Sequence, residues 1–301
     1  MKQINEIILP IKCDLDNFEI ELKKIINNSQ NFLMQDLENF LFKNPKRLRP
    51  IFVFLFSKIL EIDSENVLKI ALATEIIHNA SLLHDDVIDE EEYRRNTETF
   101  YKKFGSKIAI LEGDFLLSLA LEILSKTNNQ ITLIFAKRIK DTILGEIEQN
   151  INTNKIIDEE IYYRKTFNKT GSLFLAGLEA LFALKEIDNK IKESLINFIK
   201  QYALAFQIKN DIDNFLNNKS DIKNGNYTLP VLYLCKANAN INIDDLSNIK
   251  IDEFLKLSQE KIGEIRNKAL NYIDSIEESI YKKTIIELCE LTLRSWIWKI
   301  L

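Results

Sequence analysis

Apolar residues recur along this chain in long blocks with helical spacing, and charges break each block well short of a membrane span. Residues 15–42 carry one apolar and one polar face, which predicts an amphipathic helix pair ending at Asn44-Pro45. Pro50 to Leu60 is almost wholly apolar, as expected of a buried helix. Asp63-Ser64 supplies a start signal for the next helix, which runs through Glu75 and His78 to Asp89. Glu90–Thr99 reads as a loop. Further helices are predicted over Ile108–Ser125, Ile131–Ile151, Asp158–Thr166, Ser172–Leu184 and Ile191–Leu216, and Asn217–Tyr227 reads as a polar loop.

Composition supports this pattern. Only seven glycines and four prolines punctuate 301 residues that are 46% hydrophobic and 28% charged, so long helices with short connections are expected. No Gly/Ser linker or repeat divides the chain. The expectation is one all-α domain over residues 1–301, a bundle of long helices. A net charge of −5 and sparse basic clusters argue against a nucleic-acid footprint. Cys13, Cys235 and Cys289 are odd in number and far apart, which predicts reduced thiols and a cytoplasmic protein. The N-terminus has no long apolar core of the signal-peptide kind. The last residues, Ser295-Trp296-Ile297-Trp298-Lys299-Ile300-Leu301, read as a terminal helix whose interfacial aromatics also suit peripheral membrane contact.

The segment Leu82-Leu83-His84-Asp85-Asp86-Val87-Ile88-Asp89, followed by Arg94-Arg95, carries the chemistry. Asp85 and Asp89 are four apart, so on a helix they share one face about a turn apart. Three crowded carboxylates repel one another unless a divalent cation compensates them. Mg²⁺ suits such a site, because it takes one or two carboxylates and fills its other positions with water or phosphate oxygens. The arginines add forked donors for a diphosphate. Taken alone, the acidic cluster reads equally well as a solvated helix end. Three further segments change the balance: the basic cluster Lys46-Arg47-Leu48-Arg49-Pro50, Lys169-Thr170-Gly171, and Phe206-Gln207-Ile208-Lys209-Asn210-Asp211.

Together with Gly113-Asp114-Phe115, Gly145-Glu146 with Gln149, and Thr228-Leu229-Pro230, these segments resemble the trans-prenyltransferases, the polyprenyl diphosphate synthases, from about Lys46 to Pro230. The resemblance implies the isoprenoid synthase fold, with its helices around a central cavity, and a Mg²⁺-dependent reaction. In that reaction isopentenyl diphosphate is joined to an allylic diphosphate such as geranyl or farnesyl diphosphate. It implies that Asp85 and Asp89 ligate Mg²⁺, with Asp86 supporting them, and that Arg94 and Lys169 contact the allylic diphosphate. Lys46, Arg49, His78 and Arg95 are implied to hold isopentenyl diphosphate. Thr170 and Gln207 would face the allylic tail, Phe206 would line the isopentenyl site, and Glu146 and Gln149 would project toward the metals. No side chain stands out as a general base, and the family's proton acceptor is the leaving diphosphate. Family members pair, so a homodimer is expected.

The chain departs from the family at the second acidic motif, normally DDxxD. Its positions here hold Asn210, Asp211 and Asn214, with Asp213 intruding, so Asn210 and Asp211 become the expected and weaker metal ligands. The Gly-Lys pair usual before Thr-Leu-Pro is Gly225-Asn226, with Lys219 and Lys223 nearby, and the Gly-Gly usual before Lys46 is Asn44-Pro45. These departures sustain two rivals: a non-catalytic or weakly catalytic partner subunit of a heteromeric synthase, and a terpene cyclase. The intact first motif argues against the former. Asn at 214 and 218, where a cyclase motif wants Ser or Thr and Glu, argues against the latter. By the same resemblance, small residues at Ala80 and Ser81, one turn before Asp85, imply an open cavity floor and a long product; close helix packing is the alternative reading of their size. Ile77 and Thr74 would line the next turns, and Phe135 would form the floor. An octaprenyl chain for a quinone side chain is the specific expectation.

Overall fold

The computed structural model describes residues 3–94, 97–217, 222, 224–237 and 252–293. The described residues are overwhelmingly helical. In chain order the helices begin with α1 (Ile4–Ile7), α2 (Lys12–Asn28), α3 (Met34–Phe42), α4 (Leu48–Ile59) and α5 (Glu65–Ile88). A two-residue-strand hairpin, β1 (Tyr93–Arg94) and β2 (Thr97–Glu98), then leads to α6 (Phe100–Phe104), α7 (Ser106–Ser125) and α8 (Asn129–Ile151). After α9 (Glu159–Thr166) and α10 (Ser172–Phe182) come α11 (Asn189–Asn217), α12 (Leu229–Ala237), α13 (Asp252–Asp274) and α14 (Ile280–Leu293). The segment read as a loop over Glu90–Thr99 thus contains the small hairpin, with Arg94 opposite Thr97.

Local chemistry accounts for the helix ends that matter. Ser64 caps α5, its hydroxyl accepting from the Asn66 N–H at 3.2 Å. Thr99 caps α6 through Lys102 N and also donates to Glu91 O at 2.7 Å, which ties the hairpin to the helix that follows. Pro50 sits in the first turn of α4, where its missing N–H costs nothing. Between α9 and α10 the helix does not break. Phe167–Gly171 forms a π-helical turn, and this run of wider turns carries Lys169 and Thr170.

The residues group into two compact units. One runs to Ala136 and adds Ala176–Ile187 and Ser279–Thr284. In it α5 is the central helix, with α7 and α4 packed along it. Its core holds Phe52, Phe56, Ile70, Ala73, Ile76 and Leu83, all nearly or fully buried. The other comprises Lys137–Leu175, Asp188–Glu278 and the chain from Ile285 onward. There α11 packs along α13, and a ladder of stacked rings, Phe198, Tyr202 and Phe206, runs up α11 at centroid spacings of 6.2 and 6.0 Å. Among the described residues no helix is long and apolar enough to cross a membrane.

Candidate functional site

The first acidic motif lies at the C-terminal end of α5. Asp85 is in its last turn and Asp89 is the capping residue, whose N–H donates to Asp85 O at 2.8 Å. Both side chains are half-buried. The helix's terminal carbonyls add partial negative charge at the same end, so carboxylates and backbone together favour a cation there. This donor set, two hard anionic oxygen groups one turn apart, fits a divalent ion such as Mg²⁺. Asp86 does something else. It is fully buried, and its Oδ1 accepts from Arg94 Nε at 2.7 Å. Burial pushes its carboxyl up to about 6, against the opposing pull of Arg94. Asp86 therefore anchors the hairpin arginine to α5 rather than crowding the other two carboxylates.

His84 secures the same helix end from the other side. Its Nε2 lies 3.3 Å from Ile110 O and 3.4 Å from Asp114 Oδ1 on α7. A Cβ at Gly113 would come within 2.3 Å of that nitrogen, so only glycine lets α7 approach the ring. The Gly113-Asp114 pair is thus explained by packing against the residue preceding Asp85.

The basic cluster divides by direction. Lys46 is exposed and Arg49 half-buried, but Arg47 is buried, with a left-handed backbone at φ 49°. Its guanidinium binds Glu19 at 2.7 and 3.1 Å and Glu75 at 2.9 Å, between the rings of Phe18 and Phe42. His78 is half-buried on α5, one turn below Asn79's neighbours Leu82 and Leu83. Asn79, Leu82 and Arg94 line a cavity of about 490 Å³ together with Lys43, Phe100 and Lys103. That cavity lies on a different face of α5 from Ile77 and Ala80. Ile77, Ala80, Thr74 and Phe135 are buried and Ser81 is half-buried, its hydroxyl donating to His78 O at 2.8 Å. Arg95 lies outside the described residues, as do Lys219, Lys223, Asn218 and the Trp-rich C-terminal segment.

In the second unit the π turn brings a separate constellation together. Lys169 Nζ is 2.5 Å from Glu146 Oε2 on α8, and a Cβ at Gly145 would meet the Lys169 N–H nitrogen at 2.6 Å. The Gly145-Glu146 pair thus combines close backbone approach with a counter-charge for Lys169. Gln149 is turned to Glu146 at 3.5 Å. Thr170 Oγ1 donates to Gln207 Oε1 at 2.9 Å, and Gln207 Nε2 donates to Asp211 Oδ1 at 2.7 Å. Asp211 is buried, and its Oδ2 accepts from Tyr162 OH at 2.5 Å. Asp213 is ion-paired with Lys209. Phe206 stacks on Tyr202.

Several contributors were not singled out from the sequence. Tyr162 lies in the helix read over Asp158–Thr166, and no motif marks it. Lys165 is buried, and its ammonium donates to Asn226 Oδ1 at 2.8 Å, at the position where the family has lysine. Sequence spacing does not reveal such a pair 61 residues apart.

A helical protein with paired acidic residues at a helix end, an arginine held beside them and a lysine-threonine turn defines an enzyme class that handles prenyl diphosphates. Residues 30–272 match the family described as polyprenyl synthetase, and the chain belongs to that family. It is a prenyltransferase. It is 33% identical to a prenyl transferase of Cyanidium caldarium over 96% of this chain and 97% of the relative. It is 32% identical to a chloroplastic solanesyl diphosphate synthase of Arabidopsis thaliana, over 74% of this chain and 59% of that one. Its fold is similar to that of a heptaprenyl diphosphate synthase from Staphylococcus aureus, with a TM-score of 0.83 and 27% identity over 97% of this chain and 98% of the other. A polyprenyl synthase from Caulobacter crescentus, complexed with calcium and isoprenyl diphosphate, shares the fold at TM-score 0.86 and 22% identity over 97% of each chain.

Proposed function

We propose that this protein elongates an allylic diphosphate with isopentenyl diphosphate, uses Mg²⁺, works as a homodimer, and makes a product well beyond farnesyl, with octaprenyl for a quinone side chain as the specific reading. The observation that carries it is the end of α5, where Asp85 and Asp89 stand one turn apart beside an arginine pinned by buried Asp86. Bound there, Mg²⁺ would supply Lewis-acid stabilisation of a departing diphosphate. The protein's own groups do the rest. Arg94 and Lys169 contact the allylic diphosphate, and Lys46, Arg49, His78 and Arg95 hold isopentenyl diphosphate. Thr170 and Gln207 orient the allylic tail, and Phe206 lines the isopentenyl site. Apolar helix walls keep water from the allylic cation. Ala80 and Ser81 leave room for the growing chain, with Ile77, Thr74 and Phe135 deeper. The odd number and wide spacing of Cys13, Cys235 and Cys289 support a reducing compartment such as the cytoplasm.

One assay separates this reading from its rivals. Pure protein with Mg²⁺, farnesyl diphosphate and isopentenyl diphosphate should release long polyprenyl diphosphates. Asp85→Ala or Asp89→Ala should lower the rate by several orders of magnitude, on the order of what removing a major electrostatic stabiliser costs. A cyclic hydrocarbon formed without isopentenyl diphosphate would mean a cyclase, and activity only on adding another synthase chain would mean a partner subunit.

A further inference from the structure

The second acidic motif of this chain already commits both of its carboxylates to partners within the protein. Each oxygen of Asp211 accepts from a neutral donor, Tyr162 OH at 2.5 Å and Gln207 Nε2 at 2.7 Å. Burial raises the Asp211 carboxyl, and the Tyr162 and Gln207 hydrogen bonds oppose it, with a smaller contribution from Lys165 and Lys169. Asp213 is committed to Lys209, and position 210 offers only an amide. A carboxylate keeps spare lone pairs after two hydrogen bonds, so geometry alone does not bar a metal. What disfavours one is burial: with both oxygens turned to Tyr162 and Gln207, the enclosed Asp211 carboxylate offers little open face to an ion that keeps several of its waters.

The hydrogen bonds also have a direction. Because Asp211 accepts from Gln207 Nε2, the Gln207 amide must turn its Oε1 the other way, and there it takes the hydrogen of Thr170 Oγ1 at 2.9 Å. With its proton given to Gln207, the Thr170 hydroxyl offers lone pairs and no donor to anything else it meets. Tyr162, fully buried on α9, holds the chain at its far end, and its burial keeps the phenol protonated and donating.

We infer that Asp211 is a positioning residue and not a metal ligand: with Tyr162 it fixes the orientation of the Gln207 amide and the Thr170 hydroxyl that meet the allylic substrate. The inference rests on the proposed prenyl-elongating activity. It makes Tyr162, which no motif marks, part of the binding machinery. It also departs from the expectation that Asp211 ligates Mg²⁺, because both of its oxygens are held by donors of the protein itself.

The test uses the full-length protein and an inert S-thiolo analogue of farnesyl diphosphate, with binding followed by calorimetry across a Mg²⁺ titration, alongside steady-state kinetics. The variants are Tyr162→Phe, Asp211→Asn and Asp211→Leu. Asn keeps the shape and can accept from Gln207 while donating to the tyrosine oxygen, but it lacks the charge a metal needs. In Asp211→Asn the Mg²⁺ concentration for half-maximal analogue binding should stay within about twofold of wild type. Tyr162→Phe should weaken analogue binding and raise the allylic KM by about three- to tenfold, on the order of one hydrogen bond, with the isopentenyl KM unmoved. Asp211→Leu should weaken the analogue further than Asp211→Asn does. If it does not fold, as circular dichroism would show, the other two variants decide. A rise of tenfold or more in the Mg²⁺ requirement of Asp211→Asn overturns the inference. So does unchanged allylic affinity in Tyr162→Phe. Absence of any elongation by the wild-type protein instead sinks the proposed function, which the analogue titration reads separately.

Discussion

Arg47 and Arg49 are two apart in one basic cluster, yet only Arg47 is sealed inside, held by Glu19 and Glu75 and sandwiched between Phe18 and Phe42. Glu75 is itself buried and also accepts from Asn79 Nδ2 at 3.3 Å. Removing the arginine strands a buried carboxylate. Arg47→Met should therefore cost about 3–5 kcal/mol of stability, as breaking one side of a buried ion pair does. Urea denaturation measures it, and a loss near zero would mean that Glu75 finds water or a proton at little cost. Asp86 follows the same logic at the active end of α5: adjacent to Asp85 in sequence, it is turned inward to hold Arg94. Residue type suggested chemistry at both positions, but the direction of each side chain settled which residue is structural.

At the scale of elements, one element of each unit bears on the proposed activity. On α5 the small Ala80 and Ser81 precede the acidic end by about one turn, and each turn advances about 5.4 Å, roughly one isoprene unit. Ala80→Phe and Ser81→Phe should each shorten the product, read as a shift of the chain-length distribution toward farnesyl and geranylgeranyl diphosphates. Unchanged products would place the floor elsewhere. The other element is the π turn at Phe167–Gly171. One extra residue per turn re-aims side chains, and such turns often occur at functional sites. Here it places Lys169 against Glu146 and Thr170 against Gln207 in successive residues. Two helices, Asp158–Thr166 and Ser172–Leu184, were legible in the sequence. The continuous helix and its widened turn between them were not, because no propensity separates π from α geometry.

At the scale of the molecule, α7 carries apolar side chains that its own unit leaves uncovered. Ile110 and Leu121 are 43% exposed and stand about three turns apart on one stripe, with Leu111 beside them at 61%. That surface suits the expected homodimer, since self-association covers an exposed apolar face. Leu121→Asp should shift sedimentation from dimer toward monomer at micromolar concentration. A wild-type protein that sediments as an active monomer would end the dimer proposal. Periodicity along α7 does not by itself distinguish the inside of a chain from the inside of an assembly.

By itself the sequence determined the helical class, most helix positions, the acidic end of α5 and the set of residue types for a diphosphate and a hard cation. Local spacing encodes these features: carboxylates four apart on a helix share a face wherever that helix ends up. The tertiary structure alone decided which charges are spent inside the protein. Arg47, Asp86, Lys165 and Asp211 each belong to a motif or stand beside one, and each is buried against a partner far away in sequence or on another element. A buried charge must be paired, whereas the same charge in water need not be, so the role of a charged residue depends on burial and partner distance. Neither can be read from the residue's neighbours along the chain.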